Sequence, residues 1–208
     1  MKVKICGLTC LDDLLLASDL GADYLGFVFY KKSPRCNAPE SAAHMLSKYN
    51  GAALPVAVFV NETLENILKI TESAGIHVVQ LHGNESQDMI EGLKKHDKKV
   101  FKAVPVKDEK SFLGIEKYAC DRILLDTWHP ELKGGIGKQF DWGLLNTHEK
   151  LVSKAIIAGG INENNIVNLL DGFKPWGIDV SSGVEISPGK KDPNKLEKLF
   201  KILKRYKI

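Results

Sequence analysis

Apolar residues fall into eight short runs rich in branched side chains, and between the runs they change to a helical rhythm. The runs are KVKIC (2–6), DYLGFVF (23–29), LPVAVFV (54–60), HVVQL (77–81), KVFKAV (99–104), RILLD (122–126), KAIIA (154–158) and WGIDV (176–180). Stretches such as LDDLLLASDL, TLENILKITESAG and PNKLEKLFKILKRY carry apolar residues at i, i+3 and i+4. Near-continuous apolar strands separated by amphipathic helices describe a parallel sheet whose outer face is covered. One strand–helix unit recurs in every ~26 residues, the size of a βα module. Eight units predict closure into a (β/α)8 barrel over residues 1–208 as one domain, the TIM-barrel class; a doubly wound open sheet is the other arrangement with this alternation. No linker or low-complexity stretch divides the chain.

In a barrel, chemistry belongs at the C-terminal ends of the strands and in the loops that follow. The unusual residues fall there. Cys6 ends the first run, Asp126 ends the sixth, Arg35 follows the second, and the glycine-rich loops AGGIN (158–162) and DVSSGVE (179–185) follow the seventh and eighth. Glycines let backbone N–H groups approach an anion, and a helix beginning after the loop adds the positive end of its dipole. Gly159, Gly160 and Gly183 are therefore candidate phosphate ligands, although the same glycines would also serve as turn formers; Asp179, Ser181 and Ser182 of the same loops, with Gln80, are further candidate substrate-binding residues. Cys6 alone would read as a small packing residue, Asp126 as a loop cap and Arg35 as a surface charge. Taken together, a thiol, a carboxylate and a guanidinium around one mouth, facing a phosphate site, suit acid–base work on a phosphorylated substrate with a second anionic group.

Strand alternation adds two expectations. If Cys6 points into the mouth, Lys4 points inward beneath it, and closure brings it against Asp179 of the eighth strand as a buried ion pair. The same parity puts Gln80 and His82 on one face of the fourth strand, where His82 either contacts substrate or caps a loop.

Composition narrows the field. The chain is 26% charged with a formal net charge of +3, and its lysines are spread along helices, so no basic patch for nucleic acid is expected. No run approaches the roughly 18 apolar residues of a membrane span, and the N-terminus lacks a signal-peptide core. Cys6, Cys10, Cys36 and Cys120 have neither disulfide-framework nor zinc-site spacing, so a reducing cytoplasm and no metal are expected. GGIGK (134–138) fails the P-loop pattern and no GxGxxG is present; it reads as a loop closing over substrate.

The stretches KICGLT (4–9), GADYLGFVFYKKSPR (21–35), VAVFVNE (56–62), VVQLHGNE (78–85), LLDT (124–127), GGIGKQFDW (134–142), IAGGINENN (157–165) and IDVSSGVEISPGKKD (178–192) resemble, in order and over nearly the whole chain, the phosphoribosylanthranilate isomerase family. One departure is Ile136, where the family commonly has Ser or Thr. The resemblance implies an Amadori rearrangement of N-(5-phosphoribosyl)anthranilate in tryptophan biosynthesis, without metal or organic cofactor, by a monomer or homodimer. It implies Asp126 as general acid, Cys6 as general base, Arg35 on the anthranilate carboxylate, and backbone groups around Gly160, Ser182 and Gly183 on the phosphate. A thiol of ordinary pKa, ~8.5, would be a few per cent thiolate at neutral pH. The barrels of indole-glycerol-phosphate synthase and of the histidine-pathway isomerase are alternatives; the latter characteristically has aspartate where this chain has Cys6. A non-catalytic phospho-ligand sensor would need neither acid nor base.

Overall fold

The computed structural model describes residues 1–128 and 139–206. All eight predicted strands form: β1 (Lys2–Cys6), β2 (Tyr24–Val28), β3 (Leu54–Phe59), β4 (Val78–Leu81), β5 (Lys99–Val106), β6 (Arg122–Thr127), β7 (Ile156–Ile157) and β8 (Gly177–Val180). Each pairs in parallel with the next, and β1 also pairs with β8, so the sheet closes as a barrel rather than staying open. β5 runs two residues past its expected end, whereas β7 keeps only the centre of KAIIA.

The pleat separates two apolar sets. Cys6, Val56, Val58, Val78, Phe101, Ala103, Leu124, Ile156 and Ala158 fill the barrel interior. Their strand neighbours, among them Ile5, Phe27, Phe59, Val79 and Leu125, face outward under the helices with no exposed surface. Both faces of most strands are thus largely apolar, with Lys4, Gln80 and Asp179 as inward exceptions, which is why the runs read as nearly continuous rather than alternating. At the N-terminal end the barrel is plugged by aromatic rings: Tyr24 meets Phe101 edge-on at 5.4 Å, and the Arg122 guanidinium lies 4.3 Å over Trp176. The opposite end stays open.

The helical layer is less regular than the sequence rhythm implied. α1 (Leu11–Asp19), α2 (Pro39–Ser47), α3 (Leu64–Ser73), α4 (Gln87–Lys95), α6 (Ile166–Gly172) and α7 (Pro193–Leu203) cover their expected units. After β5, two 3-10 turns (Glu109–Phe112 and Ile115–Lys117) stand where a helix was expected. Gly114 between them has φ 74°, a left-handed conformation that interrupts any continuous helix. Among the described residues after β6 there are a 3-10 segment, Trp142–Thr147, and the four-residue α5 (Glu149–Val152). A small antiparallel pair, β9 (Glu185–Ser187) and β10 (Lys190–Lys191), follows β8 and was not anticipated. The GGIGK loop lies outside the described residues. Among the described residues, no helix is long and apolar enough to cross a membrane.

Candidate active site

One cavity opens at the C-terminal ends of the strands, and every predicted site residue lines it: Cys6, Arg35, Gln80, His82, Asp126, Gly159, Gly160, Asp179, Ser181, Ser182 and Gly183. Cys6 is the last residue of β1 and Asp126 the penultimate residue of β6, so the thiol and the carboxyl reach the cavity from different sides of the barrel. Tyr30 and Ser33, both in the loop after β2, also line it. They carried no signal beyond neighbouring Arg35.

Beneath the thiol, Lys4 and Asp179 are register partners across the β1–β8 seam. The Lys4 ammonium donates to both carboxylate oxygens of Asp179 at 3.0 Å, with 1% and 8% of the two side chains exposed. The expected seam pair is therefore present, each charge compensating one that would be costly alone. Burial works against the Lys4 ammonium, but the charges of Asp179 and Cys6 outweigh it and hold its pKa above the ordinary value. Gly26 on β2 makes room for this arrangement: a Cβ there would come within 2.7 Å of the Cys6 sulfur and 3.1 Å of the Lys4 nitrogen.

The Cys6 thiol corrects one expectation. Burial pushes its pKa up; Lys4 and Lys191 draw it down, while Asp179 pushes it up again. The net direction is upward, so the thiolate is scarcer in the free protein than an ordinary pKa implies. Its cation is already shared with a carboxylate.

Arg35 is buried rather than a surface charge. Its Nε and Nη2 donate to Glu185 in a two-point ion pair, the shortest contact 2.6 Å. Glu185 also accepts from Lys191 at 2.8 Å, and Lys191 donates to the Cys6 carbonyl at 2.5 Å. Burial alone would raise Glu185, but Arg35 and Lys191 hold its carboxyl below the usual value. Gly7, with φ 76°, lets the arginine stem pass: a Cβ there would lie 2.5 Å from Arg35 Cδ. Glu185 and Lys191 were missed from sequence. Their only trace was two charged residues flanking Gly189, in a loop short of apolar positions.

On the opposite wall, Gln80 Nε2 lies 2.7 Å from His82 Nδ1, and His82 Nε2 lies 3.0 Å from Asp126 Oδ2. The Thr127 amide donates to the other Asp126 oxygen at 2.8 Å. His82 thus meets the carboxyl side chain itself, which strand parity alone did not reveal.

At the glycine-rich end, Gly159 and Gly160 adopt φ values of 86° and 63°. A side chain on Gly159 would overlap Thr127, and one on Gly183 would overlap the Ile161 carbonyl. The β7 and β8 loops therefore pack backbone to backbone, which turns main-chain groups rather than side chains toward the cavity. The expected helix dipole is not adjacent. Ser182–Val184 is a three-residue 3-10 turn, and α6 begins only at Ile166. Any anion here would be met by local amides and the hydroxyls of Ser181 and Ser182.

Known proteins resemble this chain over nearly its whole length. The family model described as N-(5'-phosphoribosyl)anthranilate (PRA) isomerase matches residues 3–202. The N-(5'-phosphoribosyl)anthranilate isomerase of Pelobacter propionicus is 41% identical over 204 residues, covering 98% of this chain and 96% of its own. The crystal structure of phosphoribosyl anthranilate isomerase from Thermotoga maritima superposes with a TM-score of 0.91 at 38% identity, covering 99% of both chains. A phosphoribosyl anthranilate isomerase solved with reduced 1-(o-carboxyphenylamino)-1-deoxyribulose 5-phosphate gives 0.88 at 36% identity, again over 99% of both.

Proposed function

The chain belongs to the N-(5'-phosphoribosyl)anthranilate isomerase family, and on that premise we propose that it works through Asp126 as general acid and Cys6 as general base in one cavity. The activity is the conversion of N-(5'-phosphoribosyl)anthranilate to 1-(2-carboxyphenylamino)-1-deoxyribulose 5-phosphate, an internal redox isomerisation of tryptophan biosynthesis. Asp126 protonates the ribose ring oxygen as its bond to C1 breaks, leaving an iminium at C1. The iminium acidifies the neighbouring C2–H, and Cys6 thiolate removes that proton to give an enaminol. Tautomerisation then moves the enol proton to C1 and leaves the 2-ketone. Each proton-transfer partner contributes about 10²–10⁴-fold to such a step.

The observation that carries this reading is the arrival of Cys6 and Asp126 at one cavity from different strands. Amides and hydroxyls at Gly159, Gly160, Ser181, Ser182 and Gly183 receive the phosphate, and Arg35, held by Glu185, faces the anthranilate carboxylate. Asp179 contributes by fixing Lys4 under the thiol. Four free thiols suit a reducing compartment, and we place the enzyme in the cytoplasm.

The test is the loss of anthranilate fluorescence when the protein is added to freshly made phosphoribosylanthranilate, followed by identification of the ketone product. Catalytic loss with product supports the reading. Stoichiometric binding without product would make the chain a sensor instead.

A further inference from the structure

The Gln80–His82–Asp126 chain contains more than acid catalysis by Asp126 alone requires. Its contacts are 2.7 and 3.0 Å, and Gln80 is 1% exposed. With Gln80 Nε2 turned toward His82 Nδ1, the tautomer that fits is the one with its ring hydrogen on Nε2, directed at an Asp126 carboxylate oxygen. That is the form of the acid after it has given its proton away. Among the described residues, the buried Gln80 Oε1 has no hydrogen-bond partner.

One more proton on the His82–Asp126 pair changes both ends. Whether that proton sits on the carboxyl or on the imidazole, Nδ1 now bears a hydrogen and needs an acceptor. Turning the Gln80 amide by 180° exchanges Nε2 for Oε1 in the same space and supplies one. Gln80 can therefore match either state of the histidine.

We propose that His82 is a positioning residue that recharges Asp126, with Gln80 as its two-way partner. This rests on Asp126 being the acid. In each turnover the Asp126 O–H proton passes to the ring oxygen as the ring C–O bond breaks. The neutral imidazole takes a proton from solvent at Nδ1, and as it does so its Nε2 proton passes to the Asp126 carboxylate, leaving a neutral imidazole with its hydrogen on Nδ1. Cys6 releases to solvent the proton it took from C2, so the cycle is proton-neutral.

The surrounding charges leave this pair to itself. Lys102 of the neighbouring β5 binds Glu85 at 2.9 Å, and Lys107 sits 4.7 Å over Trp128. Across the cavity, Cys6 stands over Lys4, whose charge is bound by Asp179, while Arg35 is bound by Glu185. No other charged side chain of the described residues lines the cavity.

The pH profile tests the proposal. A proton shared by a carboxyl and an imidazole leaves in a step that belongs to the pair. The active form has the pair protonated and the thiol ionised, and with burial raising the thiol the relay assigns the acid limb of kcat to the pair and the alkaline limb to Cys6. The population of that form rises with pH up to the pair's titration, stays level, and falls above the thiol's. His82→Asn keeps hydrogen bonding but holds no titratable proton, so the acid limb of kcat should move down by about one pH unit or more. The plateau should fall about tenfold or more, with KM nearly unchanged. Gln80→Glu, whose carboxylate favours the imidazolium, should move the same limb upward. Unmoved acid limbs in both variants, or a risen KM with unchanged kcat, would overturn the relay. Asp126→Asn separates the two claims: if it stays active, the acid assignment itself fails, and if it is inactive while both limbs stay put, only the relay fails.

Discussion

Lys4 and Asp179 lie side by side in adjacent strands at the point where the barrel closes, their charged groups 3.0 Å apart directly below Cys6. The pair therefore has two roles: it secures the β1–β8 seam and sets the field under the proposed base. Lys4→Met should act on both. Removing one partner of a buried pair costs roughly 3–5 kcal/mol, so the melting temperature should fall. The thiol, losing its nearest cation while Asp179 remains, should titrate higher still. The alkaline limb of kcat then moves up and the plateau falls. The double variant Lys4→Met/Asp179→Leu should recover much of the stability without recovering the rate. Full activity in Lys4→Met would remove the ammonium from the chemistry.

Glu185 predicts how the protein responds to acid. Its carboxyl is held below the ordinary value by Arg35 and Lys191 against the opposing effect of burial. A depressed folded-state pKa contributes stability that is complete above the unfolded value, ~4.3 for glutamate, and is lost as pH falls through the lower folded value. Denaturation measured between pH 3 and 7 should show this loss below about pH 4. Glu185→Gln should be less stable at neutral pH, with two buried cations facing each other, and should lose less on acidification. Identical acid profiles for the two proteins would contradict the assignment.

Gly183→Ala tests the packing of the two glycine-rich loops. The new methyl would overlap the Ile161 carbonyl, and backbone cannot swing aside as a flexible side chain can. The loops must separate, at a cost of roughly 1–3 kcal/mol. If their main chains hold the phosphate, KM should rise about tenfold or more, about 1.4 kcal/mol of lost binding, while kcat changes less. Normal KM in a folded Gly183→Ala protein would move the phosphate elsewhere.

Particular residues show which features of this molecule were legible in its sequence. The strands were, because both faces of a barrel strand are apolar and leave uninterrupted runs such as LPVAVFV. Lys4–Asp179 was, because strand parity and barrel closure suffice to place it. Glu185 was not. Its partners are Arg35, 150 positions away, and Lys191, which reaches it only through the turn at Gly189. Nothing in local periodicity encodes such a triad. The missing helix after β5 was hidden for another reason: Phe112 and Ile115 keep apolar positions at i and i+3, but Gly114 in a left-handed conformation divides them between two short turns. The raised Cys6 thiol was likewise unreadable, since it depends on the depth of burial and on how Asp179 divides the charge of Lys4.

The central claim is that two side chains on different strands act on one sugar, and the fluorescence assay applied to Cys6→Ala and Asp126→Asn tests it most directly. With folding verified by circular dichroism and melting temperature, each variant should lose about 100-fold or more of kcat, while a product analogue still binds. Turnover close to that of the unaltered protein in either folded variant would contradict the account.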